Sequence, residues 1–397
     1  MIGDIIKYLK YSLYLPLALI TFVLIRLISK IFLIRFNFLP TARIGHLAIE
    51  TELYLCEKRK INSLDIFSPH KIISNKFLLS LIQKKLILIP SKFMFLLIKI
   101  NEIIGNKKHL ANLTEKSASG DRDINNILDK TKPNLSFKKI DIKNGDSFLN
   151  KIETSKNNYV CVHIRDEKYL EKKFPDDKNL SRHSHRNVDA INYTDAIQYL
   201  VDQNITVIRM GQAGSKKINI DNKRFIDYAN SKYVSNFLDI YLPANCKFFI
   251  SSCSGLDFVA KIFRRPILFT NQVPIGTSVL SSSKDMIIFK KYFSLTDSHY
   301  LPISEIFEKN LELIRNGDEF DKLKINIIEN NNIEILESTK DMIKFLRKDL
   351  NENKLEIHFK DKLSEQMKKK STFYNWHNQL KSRIGPSYLE LNEKIYN

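Results

Sequence analysis

The feature that most constrains this chain is a pattern repeated through its second half. A short apolar run leads into a polar or Gly-rich turn, and a helical stretch follows. Tyr159 to Asp166 (Y-V-C-V-H-I-R-D), Ile205 to Met210, and Cys246 to Ile250 each open such a unit, as does the R-R-P-I-L-F-T-N run of Arg264 to Asn271 after Pro266. Tyr193 to Gln203 and Ser235 to Leu242, which carries Asp239, read as helices between strands, and Phe225 to Tyr228 as a further short strand. Strands alternating with helices over short connections predict a parallel α/β sheet. In such sheets ligands bind outside the carboxyl ends of the strands. The residues ending each run therefore matter most.

Three of those ends carry groups suited to an anion. His163 and Arg165 follow the first run, and a guanidinium can grip a phosphate through two parallel hydrogen bonds. By themselves these eight residues fit a strand and a polar turn equally well. Arg209 and Gly211 close the second run, and Ser251, Ser252, Ser254 and Gly255 form a small-residue turn after the third. Such a turn offers N–H groups and hydroxyls to an anion, although serine also caps helices generally. Taken together, the three ends predict a diphosphate cradle. The basic loop S-R-H-S-H-R-N (Ser181 to Asn187) either brings Arg182 or Arg186 to a phosphate or is simply solvated. His183 and His185 lack a third ligand and predict no metal site. Asp239 either meets a ribose or is structural.

At 397 residues the chain exceeds one ordinary core, so two domains are expected. Near the start, Ile31 to Leu39 reads as a strand, and T-A-R-I-G-H-L-A-I-E (Thr41 to Glu50) as the turn into a helix. Gly45 permits the tight turn, beside Arg43, and His46 falls at the helix start. His46 is either a general base or a structural, hydrogen-bonded histidine. Asn62 to Ile104 reads as helix, short strand and helix. The polar stretch after it contains D-R-D at Asp121 to Asp123, read as part of a linker rather than a metal site. Beyond Ser304 the chain reads as helical and charged. The last aromatic-rich stretch, with Trp376, is expected to return to the first domain.

The formal charge of +19 fits an anionic membrane surface or phosphate-bearing substrates, and equally the Lys- and Asn-rich drift of an AT-rich genome. No aromatic-plus-basic pattern points to nucleic acid. The four cysteines (Cys56, Cys161, Cys246 and Cys253) are scattered, which argues against a zinc knuckle or a disulfide framework. Tyr11 to Ile25 carries no charge and is followed by Arg26, Lys30 and Arg35. It reads as an anchor at the cytoplasmic leaflet, single-pass or broken by Pro16 into an in-plane segment, or else as a buried first helix.

R-I-G-H-L-A, V-H-I-R-D, Y-T-D-A-I with V-I-R-M-G, D-I-Y-L-P-A-N-C-K-F-F-I-S-S-C-S-G-L and R-P-I-L-F-T-N together resemble a family of putative bacterial surface-polysaccharide glycosyltransferases. They are more remotely similar to fucosyltransferase-like GT-B enzymes, whose H-x-R motif binds the donor diphosphate. The resemblance spans roughly Arg43 to Asn271 and the tail near Ile384. It implies an α/β, GT-B-like architecture of two Rossmann-like domains facing across a cleft, preceded here by the hydrophobic N-terminal helix. The expected parts are a membrane-associating segment (1–30), an acceptor-side domain (31–155), a nucleotide-sugar domain (156–330) and a helical tail (331–397). The implied reaction moves a sugar from a nucleotide-diphosphate donor to a cell-surface glycan or lipid-linked acceptor, with no metal or other cofactor, at the cytoplasmic face of the inner membrane. Arg165 would steady the leaving phosphate. His163, Arg209, Gly211, Ser251, Ser252, Ser254 and Gly255 would hold the diphosphate. His46 would act as base, with Arg43, Gly45 and Arg186 near the acceptor or loop. The rival reading is a non-catalytic basic membrane-peripheral module that binds acidic glycans or lipids.

Overall fold

The computed structural model describes residues 14–57, 62–105, 107–111, 113, 123, 125–165, 184–212, 216–252, 254–278, 280–370 and 380–396. The chain forms two compact α/β units, one of residues 1–122 with 133–137 and one of residues 123–132 with 138–397.

The first unit is built on a three-stranded, all-parallel sheet in the order β1 (Leu33–Leu39), β2 (Ser63–Pro69), β3 (Ile87–Leu88). Helix α1 (Leu15–Ile28) precedes it, α2 (Ile44–Cys56) and α3 (Lys76–Ile82) join its strands, and α4 (Ser91–Ile104) follows. Strand β2 stands where a helix was expected. Its Asp65 is buried, and Arg35 on β1 holds it from the side with two 2.7 Å hydrogen bonds. A buried carboxylate needs such a partner, and a pairing thirty residues distant leaves no local trace. Pro16 starts α1 instead of breaking it, since proline is favoured in a first turn, whose N–H has no helical partner. Ala18, Phe22 and Ile25, spaced at i, i+4 and i+7, pack with Met94, Leu97 and Ile100 of α4 and Phe36 of β1. No helix among the described residues is long and apolar enough to cross a membrane.

The second unit contains α5 (Lys139–Lys151), after the short helix Ile127–Lys130, and carries a seven-stranded sheet. Its elements are β4 (Tyr159–His163), α6 (Thr194–Asp202), β5 (Thr206–Met210), β6 (Phe225–Ile226), α7 (Leu238–Asn245), β7 (Phe248–Ser251), α8 (Asp257–Ile262), β8 (Ile267–Gln272) and β9 (Met286–Phe289). A three-stranded antiparallel sheet follows, made of β10 (Lys291–Ser294), β11 (His299–Tyr300) and β12 (Ile325–Ile328). β12 lies in a region expected to be helical. Helices α9 (Asn332–Arg347) and α10 (Lys354–Lys368) come next. The closing stretch, expected to return to the first domain, supplies β13 (Arg383–Ile384), the edge strand of the second unit's large sheet.

That sheet is parallel throughout, in the order β13-β9-β8-β7-β4-β5-β6. The chain steps outward from β4 through β5 to β6, then returns to the other side of β4 to lay down β7, β8 and β9. This is the doubly wound Rossmann order, with its reversal between β4 and β7. Val160, Val162, Val207, Phe248, Ile250 and Leu268 are buried on one face, with Ile197 and Leu200 of α6 and Ile335 and Met342 of α9. Cys161 and Cys246 are buried, as expected for core thiols, and burial pushes the Cys161 thiol well up.

Gly145 lets α5 approach α7. A Cβ there would stand 2.1 Å from the buried Tyr241 ring, whose hydroxyl donates to Asp146 at 2.6 Å. Gly145→Ala is expected to cost about 1–3 kcal/mol through overpacking, seen as a lowered urea midpoint.

Candidate functional site

The reversal between β4 and β7 puts the carboxyl ends of these two strands side by side. His163 is in register with Ser251, and on the other flank Val162 is in register with Arg209. Past the strand ends, the two chains stay joined. The Ser252 N–H donates to the His163 carbonyl at 3.2 Å, and the Arg165 N–H donates to Ser252 Oγ at 2.7 Å. His163 and Arg165 are thus fixed by main-chain bonds at the crevice mouth where open α/β sheets bind their ligands. Both residues are half-buried.

A polar layer lies beneath. Tyr193 OH sits 2.7 Å from Thr270 Oγ1 and accepts from Asn271 Nδ2 at 3.0 Å. Asn271 and Asn330 exchange reciprocal 2.7 Å bonds between main-chain N–H and side-chain carbonyl. Burial pushes the Tyr193 hydroxyl up to about 12, against hydrogen bonds from Thr270, Asn271 and Ser252. With Thr270 Oγ1 also 3.3 Å from the Ser251 carbonyl, the ends of β7 and β8 rest on a network of uncharged, hydrogen-bonded side chains, which suits a rigid platform.

Two expectations are revised in detail. Serine 251 and Ser252 are buried, and their hydroxyls turn inward. Ser251 Oγ donates to Asp257 at 2.8 Å, the Ser254 N–H donates to the same carboxylate at 3.2 Å, and Ser252 Oγ accepts from Arg165. Gly255 is exposed at the tip of the turn. The serine turn thus shapes the edge and positions Arg165, and these donors are already engaged. Arg209 is 1 % exposed, with its guanidinium 3.5 Å from Asp227. It lies under the edge and can act on a ligand there only through its field. Gly211 follows at φ 147°, a conformation that favours glycine, and turns the chain away from β5.

Burial raises the Asp257 carboxyl to about 7, against hydrogen bonds from Ser251, Ser254 and Phe258 and the charge of Arg186. That influence places Arg186 near the serine turn. Asp257 is raised in the fold from about 3.9. Its contribution to stability is therefore full below pH ~4, declines as pH rises, and is gone above about 7. The melting-temperature difference between wild type and Asp257→Asn should fall across that window and be flat above it. Parallel curves would exclude the assignment.

Other expected residues are placed as follows. Asp239 is half-buried and accepts from Tyr228 OH at 2.8 Å, and desolvation raises it to about 6, a structural setting. Asp123 accepts from the N–H groups of Ile127 and Leu128 at 2.7 and 2.8 Å, so it caps a short helix. Asp121, Asp166, Arg182, His183, Cys253 and Trp376 lie outside the described residues. Among the described residues no group of three or more His, Cys, Asp or Glu could hold a metal ion.

In the first unit, Arg43 is the extended N-cap of α2, Gly45 is buried in its first turn, and His46 follows. His46 Nδ1 lies 2.6 Å from Glu50 Oε1, one helical turn on. A carboxylate on Nδ1 fixes the ring and its tautomer and leaves Nε2 as the other ring nitrogen, which suits either a structural histidine or an oriented general base. Glu50 was missed at the sequence level, although the i, i+4 spacing of His46 and Glu50 was there to read.

No family model and no curated protein matches the sequence. Among solved structures, the chain is similar to the ADP-heptose lipopolysaccharide heptosyltransferase II of E. coli, at 14 % identity and a TM-score of 0.39. That alignment covers 64 % of this chain and 90 % of the other. It is similar to the E. coli heptosyltransferase WaaC crystallised with ADP-2-deoxy-2-fluoro heptose, at 11 % identity and a TM-score of 0.34, over 67 % and 95 % of the two chains. A UDP-GlcNAc 2-epimerase from Methanocaldococcus jannaschii aligns at 13 % identity and a TM-score of 0.32, over 79 % and 99 %. Likenesses at this level assign the chain to no family.

Proposed function

We propose that this protein is a glycosyltransferase whose second unit binds a nucleotide-diphosphate sugar at the β4–β7 edge. One observation carries the reading. The reversal point of a parallel Rossmann-order sheet is marked by His163 and Arg165, held there by bonds to the opposite strand's end. A sugar leaves a nucleotide donor as negative charge builds on the β-phosphate, and a fixed cation at that oxygen stabilises the transition state more than the ground state. Arg165 is the proposed cation. Arg186, whose charge is felt at Asp257, is the proposed second contact. His163 orients the donor, and Arg209 adds positive field from below.

His46, oriented by Glu50 in the first unit, is the proposed base for an acceptor hydroxyl. The acceptor is proposed to be a cell-surface or lipid-linked glycan. The arginines supply the charge that a leaving diphosphate requires, so the reaction is proposed to run without a divalent ion. Turnover should be unchanged in EDTA.

The test is release of nucleoside diphosphate from a panel of ADP-, GDP-, UDP- and CDP-sugars. Slow donor hydrolysis is expected even without the acceptor. Release from one nucleotide class supports the reading, and release from none, with acceptor glycans present, contradicts it.

A further inference from the structure

The first unit leaves a large apolar surface open. Ala18, Phe22 and Ile25 point α1 inward, and the opposite side of the same helix is apolar as well. Ile20 is 59 % exposed and Leu27 69 %, with Leu17 one turn before, Val23 and Leu24 between them and Ile31, 83 % exposed, just beyond. On α4, Ile103 is 85 % exposed and Ile104 is also open. Lys108 Nζ lies 3.5 Å from Ser29 Oγ, which brings the ends of the two helices together. A contiguous apolar surface of this kind marks an interaction site rather than ordinary surface scatter.

The charges around it select the partner. From Tyr14 to Ile31 there is no acidic residue, and Arg26 and Lys30 stand at the helix end, joined by Lys107 and Lys108. On α4, Glu102 is engaged by Lys99 at 2.6 Å. The 14 residues of α1 extend about 21 Å, well short of the ~30 Å of a bilayer core. A helix with apolar side chains outward and cations at one end suits the boundary between acyl chains and anionic headgroups.

We propose that the outward face of α1, with the end of α4, docks in the plane of an anionic lipid bilayer. Ile20, Leu24 and Leu27 enter the acyl boundary, and Lys30, Lys107 and Lys108 meet headgroup phosphates. The proposal rests on the first unit alone. It deepens the transferase reading by putting that enzyme where a lipid-linked acceptor resides.

The experiment is flotation of the full chain with vesicles of phosphatidylcholine containing 30 % phosphatidylglycerol, and with pure phosphatidylcholine. Wild type should float with the anionic vesicles, and much less with the neutral ones or in high salt. Ile20→Glu with Leu24→Glu should weaken flotation at least about tenfold, as should Lys30→Glu with Lys108→Glu. Both pairs are surface residues, so circular dichroism and melting temperature should be unchanged. Nucleotide release from soluble donor should also be unchanged, which separates failure of docking from failure of the transferase reading. The proposal is overturned if wild type ignores anionic vesicles, or if the Ile20/Leu24 variant floats as wild type does. It is equally overturned if light scattering shows a wild-type dimer that this variant converts to monomer without any vesicle binding, which would assign the face to a second copy of the chain.

Discussion

Arg165→Ala is expected to lower turnover with the cognate donor about 10²–10³-fold, the usual consequence of removing one fixed donor from a site of developing negative charge. Stability should hardly change. The bond that anchors this position is made by the Arg165 main-chain N–H to Ser252 Oγ, and alanine keeps it. The nearby apolar contacts belong to neighbours such as Val162 and Ile164, which are buried in the core cluster. Arg165→Lys should recover part of the loss. It restores the charge but not the planar fork that meets two phosphate oxygens. Steady-state kinetics on the three proteins, with matched urea unfolding, checks this. Wild-type turnover in the alanine variant would remove Arg165 from the chemistry.

The second large effect is structural. Arg383→Ala should destabilise the second unit by about 3–5 kcal/mol, the range for breaking a buried ion pair from one side. Glu356 is fully buried at the start of α10. Arg383 holds it through Nε at 2.8 Å and Nη2 at 2.7 Å, and also donates to the carbonyls of Leu350 and Asn351. Glu356 in turn accepts the Ile384 N–H at 2.8 Å. One ion pair thus fastens the edge strand β13 to α10 and to the loop before it. Truncating the arginine leaves the buried carboxylate with Lys360, whose Nζ is 3.3 Å from Oε1, and the Ile384 N–H as partners, but without its bidentate cation, a loss that is a large part of the 5–15 kcal/mol stability of a whole domain. The double change Arg383→Met with Glu356→Leu should be milder than Arg383→Ala alone, because both charges of the buried pair are removed and Lys360 keeps Glu352 as its partner. Denaturant titrations decide the order. If Arg383→Ala cost under about 1 kcal/mol, β13 would not depend on this pair.

What could be read in advance depended on distance along the chain. The strands carrying His163, Arg209 and Ser251 were legible because an apolar run ending in charge is a local pattern. Their spatial order was not, since nothing in Tyr159–His163 or Phe248–Ser251 says that these two strands are neighbours and that β5 lies on the far side. That adjacency makes the crevice. The serine turn was legible as a turn, but the direction of its hydroxyls depends on Asp257 in the following helix. Strand β2 was misread because the partner of Asp65, Arg35, comes from another strand. β12 was missed in a charged stretch whose strand character comes from pairing with β10. The His46–Glu50 pair was within local reach and needed only the helical spacing to be followed one turn further.

The central claim is that the β4–β7 edge is a nucleotide-diphosphate site, and the most direct measurement is thermal stability against a panel of nucleoside diphosphates, for wild type and Arg165→Ala together. The account predicts that one nucleotide stabilises wild type by about 1 kcal/mol or more at saturation, that moderate salt leaves the effect in place, and that Arg165→Ala abolishes it. No stabilisation by any nucleotide, or equal stabilisation by every polyanion that disappears with salt, would contradict it.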